Sequence, residues 1–340
     1  MPAELQSDNP IGDKRVAEIN SRLAIINGER DRLLAELACI AAAEQELALS
    51  NESLGGRSKT DAVVVAAKLA VYRRLFRGSD DVYARRWEDP KSGRRGYSPA
   101  CRYDYRKISP IDGKPERVLL KFDDAVIHNH LMGEDPKEQS YGRPARDYVA
   151  GIYPLLPDET CWLLVADFDK ETWEQDAIAY AQTCRSFDVQ AAVERSRSGN
   201  GAHVWIFFQE PIAASLARKL GALFLTKTME NRPEIGLDSY DRFFPNQDTM
   251  PTGGFGNLIA LPLQRKARKH GNSLFVDDDL VPFKDQIAYL AALAPTTIRN
   301  AIQMVEDAQS QGDIIGVRQV ALDDEFDDKP RSCTRCSPHE

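Results

Sequence analysis

Apolar and polar positions alternate along this chain in two rhythms. Val16, Ile19, Leu23, Ile26, Leu33, Leu37, Ile40 and Leu47 recur at steps of three and four, a heptad seam interrupted by Arg30 and Glu44. The seam predicts a long coiled-coil-like helix over 13–50, which either pairs with a second copy through 16–47 or packs back on its own chain. Residues 1–12 are polar and read as disordered, and NESLGGRSKT (51–60) reads as a linker. DAVVVAAKLAVYRRLFRG then predicts a second helix.

From about 79 to 118 the chain is rich in Arg, Tyr, Gly and Pro and has no clean period, which predicts a loop-rich connector or small subdomain. Beyond Trp162 strand and helix rhythms alternate. WLLVADF reads as a buried strand, Trp173 to Phe187 as a helix, VQAAVE and AHVWIFF as strands around a Gly turn, and AASLARKLGALFLTKTM as a helix opened by Pro211. GNLIALPL is a further strand candidate. The fold class is α+β, or mixed α/β. The expected division is one main domain over 61–295, followed over 296–340 by a C-terminal helix and an acidic, partly disordered tail.

Composition narrows the class. With 42% hydrophobic and 28% charged residues the chain reads as a soluble globular protein. No apolar run approaches the ~20 residues that span a bilayer, and MPAELQSDNP lacks the basic and apolar regions of a leader, so a cytoplasmic location is expected. The net charge of −8 argues against nonspecific coating of nucleic acid, yet leaves room for a local basic groove. Cys39, Cys101, Cys161, Cys184, Cys333 and Cys336 are too scattered for a disulfide framework.

Asp167 and Asp169 stand two apart at the end of the WLLVADF strand, so both carboxylates point to one face. Two like charges on one face are tolerable when a divalent cation neutralises them, and Mg²⁺ or Mn²⁺ prefers carboxylate oxygen. A plain turn-capping role for the two acids is the alternative. In ERSRSGNGAHVWIFF, Ser196, Ser198, Gly199, Asn200 and Gly201 form a polar turn, with His203 at the start of the next strand. Such a turn lets backbone N–H groups converge on an anion, with Arg195 and Arg197 supplying charge for a triphosphate. A simple hairpin with a structural histidine is the competing interpretation. Asp238, Asp241 and Asp248 offer a third acid for a two-metal site. Arg265, Lys266, Arg268, Lys269 and His270 form a dense basic run, either a solvated loop or a contact for nucleic-acid phosphates.

An acidic DxD strand, an S-x-G-x-G-x-H turn and a downstream acid, in this order, resemble the archaeo-eukaryotic primase superfamily. The phrases YPLLPDETCWLLVADFDK, ERSRSGNGAHVWIFF and SYDRFFPNQDTMPTGGFGNLIALPLQ are closest to the primase-polymerase domain of TOTE conflict systems, over roughly residues 70 to 290. The resemblance implies a primase core with an RRM-like antiparallel-sheet unit. It also implies Asp167 and Asp169 as metal ligands, His203 on the phosphates of the incoming NTP or dNTP, and Arg195, Arg197, Ser198, Gly199, Asn200 and Gly201 in the same nucleotide-binding turn. Asp241 in SYDR is the chosen third acid, with Asp238 the competitor.

The implied activity is addition of a nucleotide to a 3′-hydroxyl on a single-stranded template with a primer, and a helicase or nuclease would act as partner in trans. A catalytically silent binding module and a metal nuclease are the alternatives. Relatives usually carry a cysteine-rich knuckle after a GYSPAC-like phrase. Here only Cys101 remains, so structural zinc is not expected there. Cys333, Cys336 and His339 look like half a zinc site in the acidic tail. The chain ends about where a helicase part begins in longer relatives, as expected of a stand-alone form or a fragment.

Overall fold

The computed structural model describes residues 57–89, 91–108, 113–134, 147–232 and 237–312. The heptad segment 13–50, residues 1–12 and the tail with Cys333, Cys336 and His339 lie outside the described residues. The chain divides into two compact units, Met1–Ala66 and Ala67–Glu340, and the architecture below is that of the second. In this second unit Tyr72 and Leu75, from the last turns of helix α1 (Arg57–Leu75), and Phe76 just after it are buried.

Its centre is a five-stranded antiparallel sheet. The strands are β6 (Thr160–Asp169), β7 (Ala191–Arg195), β8 (Gly201–Ala213), β9 (Tyr240–Phe244) and β11 (Leu274–Val276), in the order β11-β7-β8-β6-β9. The period of two in β6 separates two cores. Leu164, Ala166 and Phe168 pack with Val204, Ile206 and Phe243 against α3 (Trp173–Ser186), α4 (Ala214–Asn231) and α7 (Ile298–Gln311). Leu163 and Val165 face the other way, with Trp205, Phe207 and Phe275, onto Tyr72, Leu75 and Phe76. Phe76 stands edge-on to Trp205 at 5.1 Å and to Phe207 at 5.5 Å, pairs worth roughly 0.5–1.5 kcal/mol each beyond area burial. Gly221 lets α4 settle onto the sheet, since a Cβ there would lie 2.7 Å from both Leu164 Cδ2 and Phe243 Cζ.

The stretch expected to be loop-rich is instead built of strands. It holds β1 (Ala84–Glu88), β2 (Arg95–Pro99), β3 (Cys101–Ile108) and β4 (Pro115–Leu119). β1 and β2 join β5 (Ala150–Ile152) and β10 (Ile259–Ala260) in a second sheet ordered β10-β5-β1-β2, while β3 and β4 form a separate hairpin. The physical reason is exposure: these strands are largely solvated, so no alternation of apolar and polar residues marks them. Pro211 does not open a helix; it lies inside β8, where the pairing with β6 skips from Phe207 to Ile212 and its missing N–H costs no ladder bond. GNLIALPL contributes only the two residues of β10.

Helix α2 (Asp124–Met132) is tied in by His130, which is fully buried. Its Nε2–H donates to the Pro262 carbonyl at 2.9 Å, and Nδ1 accepts the Ala150 N–H at 3.1 Å. A second ring proton would face that N–H. Burial, outweighing the Pro262 hydrogen bond and helped by the charge of Arg268, lowers the His130 pKa to about 4. Because the folded value lies below the unfolded one, its contribution is fully present above about pH 6.5 and is lost as pH falls towards 4. The loss is on the order of 3 kcal/mol. Urea unfolding across this window is expected to show the decline in the native protein and a flatter pH dependence in His130→Gln.

Candidate active site

The register of the central sheet sets four side chains in a row. Asp167 on β6 is opposite His203 on β8, His203 is opposite Glu194 on β7, and Asp167 is opposite Arg242 on β9. All four continue the face of Leu163, Val165 and Trp205, beyond the end of its apolar core. Asp169, opposite Gly201, lies two residues further out and is exposed.

Glu194 anchors the row. Its carboxylate is 2% exposed and accepts three hydrogen bonds: from His203 Nδ1 at 2.9 Å, Trp205 Nε1 at 3.0 Å and Ser273 Oγ at 3.2 Å. The other ring nitrogen of His203, Nε2, is thereby aimed at Asp167, 3.6 Å from Oδ1. Burial alone would lower the His203 pKa. The charge and hydrogen bond of Glu194, with the charge of Asp167, overcome it and raise the value to about 9. Burial pushes the Asp167 carboxyl above the usual range; His203 and Arg242 oppose this, and Asp241 and Asp169 add to it.

β9 presents Asp241, the residue expected as a third acid, at a bulge. Arg242 faces Asp167 and Tyr240 faces Phe168, so Asp241 is the extra residue between them. It is part-buried and bonded to Arg242 Nε at 2.6 Å, whereas Asp238 is exposed in the preceding turn. Asp248 is engaged elsewhere, by Arg218 of α4. Ser239 locks the bulge in place: its side chain donates to Asp176 of α3 at 2.6 Å and its carbonyl accepts the Asp169 N–H at 2.8 Å.

The Gly turn closes the β7–β8 hairpin beside this row. Ser196 N–H donates to the Gly201 carbonyl and Gly199 N–H to the Ser196 carbonyl, with Gly199 at φ +84°. Ser198 Oγ lies 3.0 Å from Ser196 Oγ and accepts the Asn200 N–H at 3.3 Å. Asn272 packs against Gly199, leaving no room for a Cβ there, and its Nδ2 donates to the Arg197 carbonyl at 3.5 Å. The two arginines part company. Arg197 reaches the Tyr97 hydroxyl of β2, while Arg195 falls on the opposite face of the sheet with its guanidinium 5.8 Å from the Trp173 ring.

The basic run forms the short helix α5 (Arg265–Arg268). Arg268 donates to the Leu131 carbonyl at 2.7 Å and Arg265 to that of Met132 at 3.3 Å, capping α2, and Arg265 also pairs with Glu134. Lys266 lies 4.0 Å from Asp147, and Lys269 is exposed.

Asp167, Asp169 and Asp241 are hard oxygen donors whose mutual repulsion a divalent cation would relieve. Among the described residues, however, no three His, Cys, Asp or Glu side chains converge as a finished site. Their donor chemistry fits Mg²⁺ or Mn²⁺, with Asp241 now held by Arg242.

The profile of the TOTE conflict system archaeo-eukaryotic primase domain matches residues 67–304. This chain belongs to that family. Its mixed α/β architecture with antiparallel sheets is that of the primase core. A solved structure similar to this archaeo-eukaryotic primase domain is the polymerase domain of Mycobacterium tuberculosis ligase D in complex with DNA. It has 12% identity, covers 76% of this chain and 91% of that one, and superposes with a TM-score of 0.32. Comparison with curated proteins returned no match.

Glu194, Ser273, Asn272 and Arg242 join the site from outside the motifs that mark it in the sequence. Glu194 was within reach, because counting outward from the Gly turn pairs it with His203. Ser273 and Asn272 come from a distant segment and carry no local signal. Since the folded pKa of His203 exceeds its unfolded value, the stability it contributes is present below pH 6.5 and lost as pH rises through about 9. In Glu194→Gln the shape is kept and the charge removed, so the His203 titration followed by NMR in metal-free protein is expected to move well below 9.

Proposed function

We propose that this domain is a template-directed primase-polymerase, adding NTP or dNTP to a 3′-hydroxyl. The observation that carries the reading is the placement of His203 and the Ser-Gly turn beside Asp167, Asp169 and Asp241 at one end of the central sheet. Membership of the primase family supports it, and a conflict system acting against mobile elements is the setting that the family suggests.

Asp167, Asp169 and Asp241 would hold the Mg²⁺ or Mn²⁺, which when bound activates the 3′-hydroxyl and stabilises the leaving pyrophosphate. His203, held by Glu194 and cationic near neutral pH, would donate from Nε2 to a phosphate oxygen of the incoming nucleotide. The backbone N–H groups of the turn and the Ser198 hydroxyl would complete the grip, with Arg197 alongside. Arg195, on the far side of the sheet against Trp173, is better suited to bracing β7 against α3. Lys266 and Lys269 remain candidates for template phosphates, whereas Arg265 and Arg268 are engaged with α2. Partner helicase or nuclease modules and pairing through 16–47 belong to the same proposal.

Incorporation of labelled nucleotide on single-stranded DNA, with Mn²⁺ or Mg²⁺ and with or without primer, tests it. Asp167→Ala/Asp169→Ala is expected to lose at least ~10³-fold in product while remaining folded. Product without primer identifies a primase. Normal extension by the double variant refutes the assignment, and nucleotide binding without any product by the native chain identifies a silent binding module.

A further inference from the structure

Helix α3 carries an acid where its own pattern calls for an apolar side chain. Trp173, Ala177, Tyr180, Ala181 and Cys184 recur at helical spacing and pack into the core, and Asp176 falls in the same stripe, only 2% exposed. A carboxylate is costly to bury unless its oxygens are satisfied. Here Oδ2 accepts three hydrogen bonds: from Thr172 Oγ1 at 2.8 Å, Ser239 Oγ at 2.6 Å and Ser239 N–H at 3.3 Å. Thr172 is the N-cap residue of α3, where a hydroxyl ordinarily accepts a helix N–H, yet it donates to Asp176 and makes no cap bond. The helix gives up an apolar core position and a cap to build this cluster.

What the cluster holds is Ser239, fully buried just ahead of β9. Its N–H and hydroxyl go to Asp176, and its carbonyl accepts the Asp169 N–H at 2.8 Å, so one residue ties α3 to the end of β6. Asp241, the bulge residue, follows two positions later. β9 is the edge strand of the central sheet and pairs with β6 alone. Carboxylates gathered on these two strands repel, and an edge strand yields to repulsion most easily. A bulge that relaxed into the regular ladder would also turn Asp241 to the other face. An anchor on α3, itself packed by Trp173 and Tyr180, opposes both movements.

We propose that Asp176 is a positioning residue for the metal site: through Ser239 it fixes the spacing between the end of β6, which carries Asp169, and the β9 bulge, which carries Asp241. It touches neither metal nor nucleotide and acts on metal affinity alone. The proposal rests on the reading of Asp167, Asp169 and Asp241 as metal ligands. Its acceptor oxygen does the work, since all three of the donors are neutral.

Mn²⁺ binding to the full chain without nucleotide, followed by electron paramagnetic resonance of the free ion, tests it. The native chain is expected to bind and Asp167→Ala/Asp169→Ala to lose binding; no binding by the native chain overturns the metal reading itself, and this proposal with it. Asp176→Ala is expected to weaken Mn²⁺ binding about tenfold. Ser239→Ala, which keeps the carboxylate and carries the same test should the first variant fail to fold, is expected to weaken it about threefold. Asp176→Asn retains an acceptor oxygen and is expected to recover the native affinity to within about threefold. In metal-free protein, amide hydrogen exchange at Asp169 is expected to quicken at least about tenfold in Asp176→Ala while the amides of β7 and β8 stay protected. Native Mn²⁺ affinity in both Asp176→Ala and Ser239→Ala overturns the proposal. So does exchange that quickens equally throughout the sheet, which marks a general loss of stability.

Discussion

The antiparallel register between β6 and β8 is the constraint on which the candidate site depends. It sets Asp167 opposite His203 and, through β7, His203 opposite Glu194. A slip of one residue would carry Asp167 into the core beneath α3 and α4 and bring Phe168 out among the charges. The apolar residues earlier in the same strands prevent that slip, because Leu164 and Ala166 pack only on one side and Leu163 and Val165 only on the other. Burial of the sheet's two cores therefore positions the polar row at its end.

Within the row each charge is tolerated because of its neighbours. A buried carboxylate such as Glu194 is costly unless its oxygens are satisfied, and here two ring N–H groups and a hydroxyl satisfy them. Glu194 in turn makes His203 a cation near neutral pH, and His203 partly offsets the crowding of Asp167 with Asp169 and Asp241. Arg242 does the same from β9. Removing one member of such a network leaves another buried and unpaired, so its parts are coupled in energy as well as in space.

Charge is also divided on a larger scale. The acidic chain concentrates a surplus of cations in the β1–β4 hairpins, while the site's own face gathers carboxylates. Tyr97 of β2 lies under the influence of Arg197 of the Gly turn.

Short-range periodicity determined a good deal by itself. The alternation in WLLVADF made β6 legible and put Asp167 and Asp169 on one face, and the Gly turn with His203 marked the β7–β8 hairpin. The quoted phrases also carried the family. Tertiary structure alone placed Asp241 in the bulge of the strand next to β6 and left Asp238 exposed in the preceding turn. It alone turned Arg265 and Arg268 into caps for α2 and delivered Ser273 and Asn272 to the hairpin. It likewise built strands from the solvated stretch 79–118, where pairing partners and not apolar rhythm define the element. The physical reason is that side-chain direction within one strand follows from its own period of two, whereas which side chains meet depends on the register between strands far apart in the chain, and no local pattern encodes that register.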